Sequence, residues 1–121
     1  MRKLFVALLI LCSPLAHAAG DGKAVSQYVQ FEPFVVNLKD DSYVSFTPEL
    51  KLAHPEDQAY VQAYVPIVRH ELIKQMMGQA PATVQTPDFI AKFAQVALDI
   101  ANHVIGDGYV RGVFFTSWIV Q

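Results

Sequence analysis

Tyr109-Val-Arg-Gly-Val-Phe-Phe-Thr-Ser-Trp-Ile-Val-Gln121 is the stretch on which the reading of the fold turns. Gly106-Asp-Gly108 precedes it and supplies a turn that aims the chain back across the molecule. The stretch reads as one long strand. Strict alternation places Val110, Phe114, Thr116, Trp118 and Val120 on one face, and Val113, Phe115 and Ile119 on the other. Both sets are largely apolar. The expectation is therefore a strand covered on both faces or central in its sheet, rather than a solvated edge. An unpaired segment this apolar would template aggregation, so the fold is expected to pair it.

Working back from there, Tyr28 to Leu38 reads as a strand broken at Pro33, since proline cannot donate to a ladder. Lys39-Asp40-Asp41-Ser42 is a polar turn, and Tyr43 to Ala53 is the returning strand of a hairpin. Pro48 within it predicts an interruption or an edge position. His54-Pro55-Glu56-Asp57 opens a helix, with proline at the first position and acids where the helix dipole favours them. Val61, Val65, Val68, Leu72 and Met76 then recur at helical spacing, with Pro66 expected to kink the run near 62–66. Gly78 ends it, and a loop is expected through Ala80-Pro81-Ala82. Thr86-Pro87-Asp88 caps a second helix whose stripe is Ile90, Phe93, Ala97, Ile100, Ala101 and Val104. The order is strand, strand, helix, helix, strand. That order predicts an α+β domain: a small, mainly antiparallel sheet, hairpin plus long C-terminal strand, with two helices packed on it.

The start of the chain reads differently. Arg2 and Lys3, the apolar run to Cys12, and Ala16-His17-Ala18 form a secretory signal pattern. The organisation expected is a signal peptide at 1–18, a linker at 19–27 and one domain at 28–121. The run falls short of the ~20 residues that span a bilayer, so an uncleaved anchor is the lesser reading. Cys12, the only cysteine, follows Leu11 where a lipid-attachment site wants a small residue. Without it the domain has no thiol, as suits an oxidising bacterial periplasm. Setting aside Arg2 and Lys3 leaves seven basic residues against eleven acids. A balance of about −4 with no basic stripe argues against nucleic acid and gives no help to binding an anionic membrane surface.

Patterns that carry chemistry are absent. His54, His70 and His103 have no paired metal-ligand spacing, so no metal or cofactor is expected. Asp40-Asp41 reads as a solvated turn rather than an acid–base pair. Ser42 and Ser117 lack nucleophile-elbow surroundings, and Gly106-Asp-Gly108 precedes a strand rather than the helix of a phosphate loop. Met76-Met77 and Tyr60/Tyr64 read first as core, second as an adaptable surface. No catalytic residue is expected; a deep pocket holding two or more of Glu32, His70, Glu71 and Asp99 would revive an enzyme reading.

Val113-Phe114-Phe115-Thr116-Ser117-Trp118-Ile119-Val120-Gln121 resembles the closing motif of the FliL family, of the type Val-Tyr-Phe-Thr-x-Phe-x-Val-Gln. Phe34-Val35-Val36-Asn37-Leu38 resembles the family's first strand, Phe-x-Val-Asn-Leu. Pro66 to Ile73, with Arg69, resembles its first helix, and Thr86 through Asn102 the second. The likeness runs from about Tyr28 to Gln121. It implies a stomatin-like α+β fold, a periplasmic place at the inner-membrane basal body of the flagellum, self-association into rings or other homo-oligomers, and contact with the motor stator. It brings no catalytic residue, and membrane association would come through partners or an uncleaved N-terminus. Two features differ from the family pattern: a signal-like start replaces the usual membrane-spanning helix, and Phe89 stands where a Gly commonly follows the acid. A competing expectation from the aromatic content is an envelope scaffold or lipid- or protein-binding module unrelated to the flagellum.

Overall fold

Strand β3, Tyr43–Leu52, is the one with which every other strand pairs. It belongs to a computed structural model that describes residues 26–121. The expected signal peptide and nearly all of the linker lie outside the described residues. Strands β1, Tyr28–Gln30, and β2, Phe34–Asn37, both run antiparallel to β3, against Lys51–Glu49 and Phe46–Tyr43 respectively. The break between them falls at Pro33, as expected. Strand β4, Val110–Val120, pairs antiparallel with β3 from Val44↔Val120 to Leu52↔Val110. It occupies the opposite edge of β3, so the sheet is at most three strands wide.

The β2–β3 turn explains the register. Asp40 and Asp41 both adopt the left-handed conformation, with φ of 61° and 59°. Two successive positive φ values match the right-handed twist of a hairpin, and aspartate tolerates them better than most residues. Leu38 N–H donates to Ser42 O at 2.8 Å and Ser42 N–H to Lys39 O at 3.2 Å, closing the turn.

Two expectations for the strands need correction and one is met in part. Pro48 lies buried in the central strand, where it marks the expected interruption rather than an edge. Its missing N–H falls at a bulge, where the β3–β4 ladder is already interrupted between Thr47 and Pro48. Thr47 pairs with Ser117 and Pro48 with Phe115, leaving Thr116 as the extra residue; Arg111 is skipped in the same way. Each bulge shifts the alternation by one. Phe115 therefore shares the inner face with Trp118, Val120 and Val113, whereas Phe114 turns outward and is 51% exposed. Finally, β4 is an edge strand with an uncovered outer face, not a central one: among the described residues no strand pairs with its far side.

Two long helices pack on the sheet as expected, giving an α+β domain, but shorter helical pieces accompany them. A 3₁₀ turn at Pro55–Asp57 runs into α1, Gln58–Gln62, and the chain stops at Ala63-Tyr64 before α2, Val65–Met76. Pro66 breaks the run instead of kinking it. At the second position of α2 its absent N–H costs no intrahelical bond. Pro81 likewise opens a short helix, α3, Pro81–Val84, where a loop was expected. Helix α4, Pro87–Ile105, starts as read: Phe89 N–H donates to Thr86 Oγ1 at 3.2 Å. It ends at Gly106, whose φ of 119° favours glycine. Its buried stripe is Phe93, Ala97, Ala101 and Ile105; Ile90, Ile100 and Val104 are only half-buried on its flank. No helix of the described residues is long and apolar enough to cross a membrane.

The core lies between the sheet's inner face and α2 with α4. Phe46 is its centre, with ring centroids 4.9 Å from Phe34, 5.1 Å from Trp118 and 5.8 Å from both Phe93 and Phe115. The contacts with Phe93 and Phe115 are edge-to-face, a geometry that adds about 0.5–1.5 kcal/mol per pair beyond burial.

Candidate functional site

The residues singled out in the sequence fall into two groups once placed. Phe34, Val36, Leu38, Val113, Phe115, Trp118 and Val120 point inward and build or flank the core. Trp118 cannot be fully buried without a partner for its indole N–H, and that group donates to Val84 O at 2.9 Å, tying β4 to α3. Arg69 on α2 lays its guanidinium over the Phe34 ring, 4.4 Å from the centroid. This cation–π contact joins the first strand motif to the first helix motif. Asn37 is exposed, and its backbone O accepts from Gly78 N–H at 3.2 Å, anchoring the end of α2 to β2.

Phe114, Thr116 and Gln121 do something else. Thr116 Oγ1 donates to Thr47 O at 3.4 Å and so stabilises the bulge. Gln121 closes the ladder through paired backbone bonds with Tyr43 at 2.8 and 2.9 Å, and its Oε1 accepts from the Tyr43 hydroxyl. Phe114 is left without cover. Across the sheet, Val35, Ser45 and Ile119 form a row over three strands, with Val35 66% and Ile119 52% exposed. With Tyr43 and Phe114 these residues make the outer face partly apolar and open to solvent. Two exposed apolar residues thus flank Ser45, and the second of them lies on the strand with the open edge. Val35 and Ile119 were not singled out in the sequence.

A second surface is a groove of about 630 Å³ between α2 and α4. Ile67, Val96, Ile100 and Val104 supply its apolar surface, and Glu71, Gln75, Asp99 and His103 its polar part. Two of the four residues named for an enzyme reading, Glu71 and Asp99, thus share a concavity, but it is an open groove rather than a deep pocket. Glu71 Oε2 lies 3.5 Å from Lys74 Nζ, whereas Asp99 takes part in neither ion pair found among the described residues.

The other candidates separate. His54, His70 and His103 are exposed on different elements, and no group of three His, Cys, Asp or Glu among the described residues is placed to hold a metal ion. Asp40 and Asp41 are turn formers, as read. Met76 is core, but Met77 is 60% exposed. Tyr60 stacks between Tyr64 and Tyr109, with centroids 5.2 and 4.8 Å away, and its hydroxyl lies 3.4 Å from that of Tyr64. The hydrogen bond with Tyr60, then that residue's charge and some desolvation, raise the Tyr64 pKa above the usual phenol value.

Comparison with known proteins converges on one family. Residues 28–121 match the profile of the family described as flagellar basal body-associated protein FliL. A flagellar protein FliL of Aquifex aeolicus (strain VF5) is 27% identical over 92 residues, a span that covers 74% of this chain. The same span is 57% of that protein, so the chain covers little more than half of its relative.

Proposed function

Because this chain belongs to the FliL family of flagellar basal body-associated proteins, we propose that it acts as a non-enzymatic scaffold on the periplasmic side of the basal body. In this reading it supports motility by associating with further copies of itself and by contacting the motor stator. The observation that carries the proposal is the division of labour in strand β4. Its inward residues fill the core, while Phe114, Ile119 and the free backbone edge stand at the surface beside Val35. A second copy meeting that edge would pair its N–H and C=O groups and continue the outer face beyond Ile119.

In-cell photo-crosslinking tests it. A photoreactive residue at Ile119 or Phe114 is expected to give self-adducts and adducts to stator or basal-body proteins, and one at the remote, exposed Glu56 to give neither. Adducts only to unrelated envelope proteins would overturn the motor role. So would unchanged swimming under viscous load after deletion.

A further inference from the structure

We propose that the groove between α2 and α4 is a docking site for a basic amphipathic helix of a partner protein. This does not rest on self-association through the sheet. The inference begins with what the groove walls lack. Both are helices whose backbone groups are already paired within themselves, so an extended segment lying there would find no backbone partners. A helix satisfies its own backbone and needs only side-chain contacts. The open edge of β4, by contrast, suits a strand.

Length and chemistry then narrow the occupant. Ile67 to Gln75 on α2 and Val96 to Val104 on α4 each run about 12 Å, roughly two helical turns. Ile67 is 51% and Val96 37% exposed, an apolar strip without cover. The polar residues beside it include Glu71 on one wall and Asp99 on the other. Arg69 lies on Phe34, Lys92 stands outside the groove lining in an exposed pair with Asp88 at 3.2 Å, and the α4 wall also carries the imidazole of His103. Lys74 touches Glu71 but is 56% exposed and free to swing aside. An apolar strip with carboxylates on both walls complements a helix whose apolar stripe is flanked by Lys or Arg.

The test uses the purified full chain and a synthetic helical peptide of roughly fourteen residues, four turns. Leucines occupy one stripe and lysines flank it; the control peptide carries glutamates instead. Expected are amide shift changes centred on Ile67, Val96 and Ile100 with the lysine peptide only. The double variant Glu71→Gln/Asp99→Asn should weaken binding about five- to tenfold, as for two exposed ion pairs, with its unfolding midpoint unchanged. Val96→Asp should abolish binding. Shifts scattered or centred on Val35 and Ile119, equal binding of the glutamate peptide, no binding at all, or full affinity in the folded double variant would each overturn the proposal.

Discussion

Two rows of residues cross the same three strands side by side. Phe34, Phe46 and Trp118 form one; Val35, Ser45 and Ile119, one position along, form the other. Both rows belong to the same antiparallel ladders, yet the first lies on the helix-packed face with Phe34 and Phe46 fully buried, and the second leaves Val35 and Ile119 exposed. The difference is in what covers them. Helices α2 and α4 pack on one face only, so the inner row carries the stability of the domain and the outer row is free for other work. The β2–β3 turn and the two bulges of β4 keep the rows distinct, since a slip of one residue would exchange them.

The sharpest way to break this comparison is Phe46→Ala, which empties the centre of the aromatic cluster. It is expected to cost about 3–5 kcal/mol, read as a lower urea midpoint with an unchanged slope. A smaller loss would mean that the neighbouring rings collapse into the space. Trp118→Phe keeps most of the ring contacts but leaves Val84 O without its donor, for an expected loss of about 1–2 kcal/mol. If that variant were as stable as the parent, the tie between β4 and α3 would be dispensable. Asp41→Gly relieves a left-handed non-glycine residue and should stabilise the domain by about 0.5–1 kcal/mol, thereby firming the register. Smallest of all, Ile119→Ser should change folding stability by less than about 0.5 kcal/mol. The same variant is expected to lower self-association, measured by sedimentation at increasing concentration. Large destabilisation with intact association would reverse the roles of the two rows.

Much of the fold was legible because the local signals are strong. The Thr86 cap, Pro33 and the Asp40-Asp41 turn each act through their own backbone, so nearby residues suffice to place them. What alternation along β4 could not give was the pair of bulges at Arg111 and Thr116. The one at Thr116 follows from the partner strand, where Pro48 interrupts the ladder, and a partner some seventy residues away is invisible to a local period; nothing in the structure comparably explains the one at Arg111. That single omission put Phe114 with Trp118 and made an edge strand look central. Pro66 misled for a similar reason: whether a proline kinks a helix or begins one depends on where the preceding turn stops. The outer face of the sheet and the groove were less legible than the core. The family motif marked β4 and β2 correctly, yet the residues it flagged are mostly those that fill the interior, while Val35 and Ile119 sit in its variable positions. The groove needed α2 and α4 to be placed against each other before Glu71 and Asp99 met.

The central position of β3 has a kinetic side as well. Its contacts with β2 close over a short turn, whereas its other edge waits for residues 110–120, after all the helices have been made. Such long-range closure is slow compared with hairpin and helix formation. Until it happens, Val44, Phe46, Leu50 and Leu52 belong to a half-built sheet with one bare edge, and the nascent chain is most in need of protection at that stage.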